Sequence, residues 1–224
     1  LHVRSRRQRQ MCIRDRYSTI IGMIHAACGF KRYHRMKLSI QGTNQGMISE
    51  LYTRYSFSSG AKYEEGRHNI CIEDGEKYGV FKGVANVELV CENEIIIHIL
   101  PEEQDLETIY QALKHPPNYL SLGRYEDLID IKSVDIVNIR EEDEADTKHN
   151  IYIPVSYIME RGYENSNSTV YTLNKEYEIT KQGLRRWKSE KEGGRVKVFY
   201  YPSGIEIENI LVDDSQSEDV VVFA

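Results

Sequence analysis

The sequence has no long hydrophobic run and only four cysteines. No apolar stretch approaches the roughly 18 residues of a membrane-spanning helix, and the N-terminus lacks the apolar core of a secretory signal. The cysteines are widely scattered without a Cys-x-x-Cys pair, which argues against a zinc site and indicates reduced cytosolic thiols. No P-loop, Rossmann glycine pattern or Ser-His-Asp order is present, and the carboxylates form no evident set of metal ligands. We therefore expect no metal, no cofactor, no membrane contact and a cytoplasmic location.

The sequence does contain enough apolar material for a folded core. Its 224 residues are 40% hydrophobic and 29% charged, which is typical of a soluble globular protein. A chain of this length can form one large domain, or a core domain with a small appendage. The formal net charge is −6.

The first 16 residues differ in composition from the rest. They hold six arginines and one aspartate, and the tract Met11–Arg16 resembles translated adapter sequence. We interpret residues 1–16 as a non-native or disordered leader, with a basic RNA-binding arm as the alternative. Removing six of the 29 basic and one of the 35 acidic residues leaves 23 against 34, a net charge of −11. Nucleic acid would then have to be bound by local basic clusters and not by the overall field.

Hydrophobic periodicity predicts an alternation of helices and strands over residues 17–140. A helix is expected where Ser18 or Thr19 can act as the N-cap, Ile20 and Ile24 follow, and Gly29 is a natural C-terminal stop. A second helix is expected after Pro101, where an acidic first turn suits the helix dipole. The predicted elements are a helix at 17–30, a strand at 37–41, a β-hairpin insertion at about 47–83, a strand at 84–100, a helix at 102–114 and a strand around 133–140. This is the ferredoxin-like βαββαβ order without its first strand, which would fall in the leader.

The C-terminal third has a different character. The run Glu141–Asp146 is expected to be a solvated loop, because it consists almost entirely of acidic residues. Residues 151–202 are predicted to form a small β-rich region, and residues 203–224 an acidic tail with a mobile segment at Asp213–Glu218. Val220–Phe223 could dock on the fold, at a place that the sequence does not identify. The predicted fold class is therefore α+β, with a ferredoxin-like core of residues 17–140, a hairpin insertion and a β-rich C-terminal part.

Four short segments carry residue types suited to RNA. Gly123 and Arg124 follow the second helix, where a bare backbone can approach a phosphate and a guanidinium can hold it. Ser18 and Thr19 open the first helix, whose free amide groups favour an anion. The other two segments are Gly66-Arg67-His68-Asn69 in the insertion and Gly183-Leu184-Arg185-Arg186-Trp187-Lys188 near the end.

In this order and spacing, the four segments resemble the CRISPR-associated Cas-five family, of the kind found in type I-B Cascade surveillance complexes. The resemblance runs from about Tyr17 to about Pro202 and is most specific in Tyr17–Gly29 and in the Leu122-Gly123-Arg124 turn. It implies an RNA-binding subunit with an RNA-recognition-type (RAMP) core that takes part in prokaryotic antiviral defence. It also implies that the chain holds the 5′ handle of the guide RNA (crRNA) and docks the large subunit and the backbone (Cas seven) subunit of Cascade.

The resemblance and the local chemistry together give a set of predicted RNA contacts. These residues are Ser18, Thr19, Arg54, Arg67, His68, Gly123, Arg124, Arg185, Arg186, Trp187 and Lys188. In the family the insertion resembles a thumb-like hairpin, on which Tyr52, Tyr55 and Tyr63 would offer stacking faces to unstacked bases. Ordinary structural interpretations stay open, namely helix capping for Ser18 and Thr19 and a core anchor for Trp187. If Arg124 makes a good bidentate contact, its loss should cost about 1–3 kcal/mol of handle affinity.

An enzymatic alternative also stays open. Relatives in the type I-C branch cleave the repeat RNA without metal, a reaction that needs a general base and a cation. Lys114 and His115 precede the Gly-Arg turn, and Tyr63 or Tyr55 could complete such a set. Lys-His at a helix C-terminus is also ordinary dipole complementation, and the type I-B resemblance implies that a separate Cas-six nuclease does the cutting. We expect no catalytic residues, with a metal-independent endoribonuclease as the alternative.

Overall fold

The structure is a computed structural model, and it describes five stretches of the chain. They are residues 17–74, 76–102, 104–161, 169–179 and 185–224. The predictions made for residues 1–16 and for Gly183 and Leu184 lie outside these stretches, and Arg185 is described by its backbone alone.

The described residues form short helices and a larger number of strands. The helices are α1 (Tyr17–Cys28), α2 (Leu106–Lys114) and α3 (Val155–Glu160), with a 3₁₀ turn at Glu190–Glu192. The strands are β1 (Met36–Thr43), β2 (Gly46–Lys62), β3 (Ile70–Asp74), β4 (Glu76–Cys91), β5 (Glu94–Pro101), β6 (Ile139–Asp146), β7 (Asn150–Pro154), β8 (Val170–Asn174), β9 (Tyr177–Ile179), β10 (Arg185–Trp187), β11 (Arg195–Tyr201), β12 (Glu206–Asp213) and β13 (Val220–Val221).

The chain divides into two compact units. Residues 44–92, called the insertion below, form a three-stranded antiparallel sheet in the order β2-β4-β3. Residues 17–43 and 93–224 form the core unit, whose central sheet has the order β5-β1-β7-β11-β8. The core unit also holds a three-stranded C-terminal sheet, β13-β12-β6, and the β9–β10 pair.

One face of the central sheet is covered by α1 and α2. Ile20 and Ile24 of α1 are fully buried there, and burial of each such side chain contributes about 1.5–3 kcal/mol. Gly29 ends α1 with a φ of +66°, and the Phe30 amide donates to the His25 carbonyl at 3.1 Å. This arrangement is a Schellman C-cap, which requires the left-handed conformation that glycine adopts readily. The predicted first helix and its stop are therefore present, two residues shorter than expected.

The opposite face of the central sheet is also covered. Successive residues of a strand point to opposite faces, so Tyr152 faces the helices while Ile151 and Ile153 face the other way. On that second face Ile151 and Ile153 pack with β12 and β13, which contribute Ile210 and Val220. The central sheet is thus enclosed between two helices and the C-terminal sheet.

The predicted acidic tail is wrong as a structural description. Residues 206–213 and 220–221 are strands, and Val220 and Val222 are buried in the second core. The last residues also pair with β1, because the Ala224 amide donates to the Leu38 carbonyl at 3.0 Å and the Val222 amide donates to Ser39 Oγ at 3.1 Å. The prediction gave more weight to the acidic composition than to the apolar residues Ile207, Ile210 and Val212, which are buried in β12.

The acidic run 141–146 is a strand and not a solvated loop. It forms most of β6, which pairs with β12 and has no second strand partner among the described residues. Glu206 and Glu208 lie opposite Asp146 and Glu144, and directly opposed like charges are unfavourable in a sheet. Apolar packing of β12 on the other side offsets this cost, and charge along the outer strand discourages edge-to-edge association.

Three other predicted boundaries are wrong. The strand expected at 84–100 is divided by a turn, where Glu92 has a φ of +47°, into β4 of the insertion and β5 of the core unit. The second helix begins at Leu106 and not at residue 102. The Glu102 amide still donates to the carbonyl of Arg35, the residue before β1, at 3.1 Å. No strand is present at 133–138, where the Asn138 amide instead donates to Asp214 at 2.8 Å.

Candidate nucleic-acid interface

The long ribbon of the insertion presents tyrosines and cations on both of its faces. Directly paired residues share a face of an antiparallel ladder, so Tyr55 and Lys82 lie together on one face. Tyr52 and Arg54 lie on the other face, where Gly83 is the residue opposite Arg54. These four side chains are exposed, and Arg54 and Lys82 have no carboxylate partner among the described residues. The ribbon therefore offers two pairs of an aromatic ring and an available positive charge.

Apolar side chains around these pairs are also exposed. Leu51 is 70% exposed and Val84 is 76% exposed, both on the face of Tyr55. An isolated two-stranded ribbon is marginally stable in water, and exposed apolar groups on it gain free energy only when a partner covers them. Flat apolar and aromatic surface next to cations matches the faces and phosphates of single-stranded nucleic acid.

In the loop between β2 and β3, the neighbouring residues Arg67 and His68 differ in exposure. Arg67 is exposed, and its guanidinium donates to Glu64 at 2.9 Å, which together with the nearby charge lowers the pKa of Glu64. His68 is buried, and its Nδ1 accepts the Glu64 amide at 3.0 Å. A Cβ on Gly79 would come within 2.3 Å of the His68 ring, so this glycine makes room for the imidazole. The burial favours a loop-anchoring role for His68, while Arg67 stays accessible.

The predicted Leu-Gly-Arg turn is a short hairpin in the core unit. Gly123 has a φ of +99°, the Leu122 amide donates to the Asp127 carbonyl at 2.9 Å, and the Ile129 amide donates to the Leu120 carbonyl at 3.0 Å. Only a residue without a side chain adopts that φ at little cost, which explains the glycine. The turn therefore exists as expected, at the tip of the 119–130 hairpin.

The guanidinium of Arg124 is already engaged within this hairpin. Its Nε donates to Asp127 Oδ2 at 3.0 Å and its Nη2 to Asp127 Oδ1 at 2.8 Å, while Nη1 lies 3.2 Å from Glu126 Oε1. A bidentate guanidinium–carboxylate pair is among the stronger hydrogen-bonded arrangements in proteins. The Arg124–RNA contact stays a prediction, and the geometry favours a role in holding the turn.

Two neighbours of this turn were missed as functional candidates. Tyr119 is 92% exposed and Tyr125 is 88% exposed, and no ring contact involving either of them is present among the described residues. Their position beside the Gly-Arg pair was visible in the sequence. Their exposure was not, because an isolated tyrosine in an apolar context is as compatible with a core position.

Two cations of the basic segment near the C-terminus, Arg186 and Lys188, are paired with glutamates. The β9–β10 register places Arg186 opposite Glu178, and Arg186 Nε donates to Glu178 Oε1 at 2.6 Å. Lys188 Nζ donates to Glu176 Oε2 at 2.8 Å. Trp187 is half-buried and meets Tyr177 edge-to-face, with ring centroids 5.7 Å apart. The anchor interpretation of Trp187 therefore gains support.

The remaining predicted contacts are less informative. Ser18 and Thr19 lie in the first turn of α1 and are half-buried. Residues before Tyr17 are not among those described, so the environment of this helix start is known on one side only. RNA contact through Ser18 and Thr19 stays a prediction.

Lys114 and His115 of the alternative catalytic set lie at the end of α2, and RNA cleavage stays an alternative prediction. Lys114 Nζ donates to the Tyr110 hydroxyl at 2.6 Å, and this hydrogen bond raises the pKa of Lys114. A raised pKa keeps Lys114 protonated, as the cation of such a set would have to be. The His115 amide caps α2 by donating to the Gln111 carbonyl at 2.9 Å, and Tyr63 belongs to the insertion.

The face of the central sheet that carries RNA in RNA-recognition domains is closed here. On β1 and β5 that face carries Gln41 and His98, which are buried. His98 Nε2 lies 3.1 Å from Asp213 Oδ2, and Gln41 Nε2 donates to the Val220 carbonyl at 3.2 Å. Burial acts to raise the pKa of Asp213, but the hydrogen bonds from His98, the Asp219 amide and Ser215 hold this pKa below its ordinary value. This face of β1 and β5 is therefore covered by the C-terminal sheet and is not open to a ligand.

Within the described stretches, no group of three or more His, Cys, Asp or Glu side chains is arranged to hold a metal ion. None of the helices in these stretches is both long and apolar enough to cross a membrane.

The arrangement of helices and strands defines the fold class. It is α+β, with mostly antiparallel sheets and few helices, which is consistent with the ferredoxin-like fold of RAMP proteins and confirms the predicted fold class. The family model described as CRISPR-associated protein (Cas_Cas5) matches residues 17–199. Because the match covers most of the sequence, the chain belongs to this CRISPR-associated family.

A chain of a solved structure titled "CRISPR RNA-guided surveillance complex" is similar, with a TM-score of 0.47 and 19% sequence identity. The similarity covers 85% of this chain and 79% of that chain. No curated protein matches the sequence.

Proposed function

We propose that this chain is a non-catalytic, RNA-binding subunit of a type I Cascade surveillance complex, of the type I-B kind. It binds the 5′ handle of the guide RNA and contacts the large and backbone subunits, and it acts in the cytoplasm. Membership of the CRISPR-associated family supports the general role. The handle contact is proposed from the chemistry of the insertion.

The observation that carries the RNA proposal is the pairing of an available cation with an exposed tyrosine on each ribbon face. Single-stranded RNA is bound by aromatic rings that stack on bases and by cations that track phosphates. Tyr52 with Arg54, and Tyr55 with Lys82, supply both elements. A ribbon with such a pair on each face can separate neighbouring nucleotides and bind them from two sides.

The electrostatics support a local contact of this kind. The net charge of −6 repels RNA at long range, so binding must come from places where positive charge is not neutralised. Arg124, Arg186 and Lys188 each have a carboxylate partner in the core unit. Arg54 and Lys82 have none among the described residues, which makes the ribbon the better candidate.

Holding the handle would serve the complex by positioning the RNA. A fixed 5′ end sets the register from which the guide pairs with its target strand, and sequence reading is then done by base pairing. The proposal requires no bond-breaking chemistry from this chain.

The proposal is tested by handle-RNA binding measured at several salt concentrations. Arg54→Ala should lower affinity and reduce the slope of log K against log salt by about 0.7, the value for one phosphate contact in a single strand. Tyr52→Ala should lower affinity by about 1–3 kcal/mol with the slope unchanged, because stacking releases no counterions.

Lys132→Ala is the matched control. It removes an exposed cation that is paired with Glu94, so it should change neither affinity nor slope. If wild-type protein binds handle RNA without salt dependence, or if the Arg54 and Tyr52 variants bind like wild type, the proposed function is wrong.

A further inference from the structure

The 119–130 hairpin is held in one conformation before any partner arrives. Backbone hydrogen bonds join Leu122 to Asp127 and Leu120 to Ile129, and a β-bridge joins Ser121 to Leu128. The bidentate Arg124–Asp127 pair closes its tip. A loop fixed in this way loses little conformational entropy on binding.

One side of the hairpin is anchored and the other is unusually exposed. Leu120 is buried in the core between the central sheet and helices α1 and α2, and Ile129 packs against that core. In contrast Tyr119, Tyr125 and Leu128 are 92%, 88% and 65% exposed. Tyrosine is enriched among residues that dominate protein interfaces, because it offers large contact area with few rotatable bonds.

The charge around these side chains argues against RNA. Arg124 is the hairpin's cation, and it is neutralised by Asp127 and Glu126. With Asp130, the hairpin carries three carboxylates and one guanidinium, and Glu126 and Asp130 are exposed. A phosphate backbone would be repelled here, whereas a protein surface bearing Lys or Arg would be attracted.

We propose that Tyr119, Tyr125 and Leu128 form a protein-docking surface whose partner presents apolar pockets rimmed by basic side chains. This inference rests on the proposed function, in which the chain contacts neighbouring subunits of a Cascade complex. A second copy of this chain is a poor fit, since its own net charge is −6. In this arrangement Arg124 is a positioning residue that holds the hairpin, and it does not contact RNA.

The test uses the full chain together with the purified large subunit and backbone subunit of the CRISPR system from which it comes. Affinity for each subunit, and separately for handle RNA, is measured for wild type, Tyr119→Ala and Tyr125→Ala. At least one tyrosine variant should bind one of the subunits at least about 10-fold more weakly, with handle-RNA affinity unchanged. Met159→Ala, which removes another exposed apolar side chain of the core unit, should bind both like wild type.

A charge variant provides an independent readout. Asp130→Lys should slow association with the same subunit and make the rate less dependent on salt, because rim charges act mainly on encounter. The proposal is overturned if neither tyrosine variant weakens subunit binding, or if wild type binds neither subunit. It is also overturned if the tyrosine variants lose RNA affinity instead, which would make the hairpin a nucleic-acid contact. If the wild-type chain does not bind handle RNA, the proposed function is refuted. The docking proposal is then still decided by the subunit affinities.

Discussion

The Arg124→Ala variant distinguishes two possible roles of the Arg124 side chain in the Leu122-Gly123-Arg124 turn. If the guanidinium holds RNA directly, its loss should weaken handle binding by about 1–3 kcal/mol, or about 5- to 150-fold. If it holds the turn through Asp127, handle affinity of the isolated chain should stay within about twofold of wild type. The structure favours the second outcome, because all three guanidinium nitrogens already contact Asp127 or Glu126.

The size of the structural effect follows from the geometry of the pair. Ion pairs at exposed positions contribute about 0.2–1 kcal/mol. This pair has two hydrogen bonds, and its side chains are 33% and 23% exposed, so we expect a value near the upper end, about 1 kcal/mol. For a chain of this length that corresponds to a fall of about 2–4 °C in the melting temperature.

Asp127→Asn is the matched variant, and the assays are thermal unfolding and filter binding with handle RNA. Because both substitutions break the same pair, they should lower the melting temperature by similar amounts and leave RNA affinity unchanged. The reasoning is refuted if Arg124→Ala loses RNA affinity by fivefold or more while Asp127→Asn binds as well as wild type or better.

Three further predictions concern other parts of the chain. Gly79→Ala should destabilise the insertion by about 1–3 kcal/mol, because the new methyl group overlaps the His68 ring. Limited proteolysis that cuts wild type and Gly79→Ala within residues 44–92 at the same rate would argue against this. Asp213 has a lowered pKa, so its stabilising contribution is complete above the ordinary aspartate value of about 4 and is lost as the pH falls through its lowered folded-state value. Melting temperatures recorded from pH 7 to pH 3 should therefore fall less steeply below pH 4 for Asp213→Asn than for wild type, and parallel curves would contradict the assignment. Repeat RNA incubated with the protein without metal should stay intact, and cleavage that His115→Ala abolishes would establish the endoribonuclease alternative.

Local pattern was sufficient for the elements whose signals are short-range. The spacing of Ile20 and Ile24, followed by Gly29, predicted α1, because burial on one helix face and a left-handed cap are both readable from neighbouring residues. The apolar run before Pro101 likewise predicted a strand. Division of that run at Glu92 could not be foreseen, since positive φ at a non-glycine residue has weak sequence signals.

Long-range pairing accounts for the errors in the C-terminal region. The acidic residues of β6 form a strand because β12, whose paired residues are 60 or more positions away in sequence, pairs with them and buries its own apolar face. A short window contains no information on that partner. For the candidate site, Asp127 stands three residues after Arg124, so the neutralising partner was visible in the sequence, whereas the exposure of Tyr119 and Tyr125 required coordinates.

The most direct test of the central claim is ultraviolet cross-linking of the chain to full-length guide RNA, followed by mass spectrometry of the joined peptides. The account predicts adducts at Tyr52 or Tyr55 with nucleotides of the 5′ handle, and their loss from the Arg54→Ala protein at elevated salt. Adducts confined to the core unit, or joined only to the guide's target-pairing region, would contradict it.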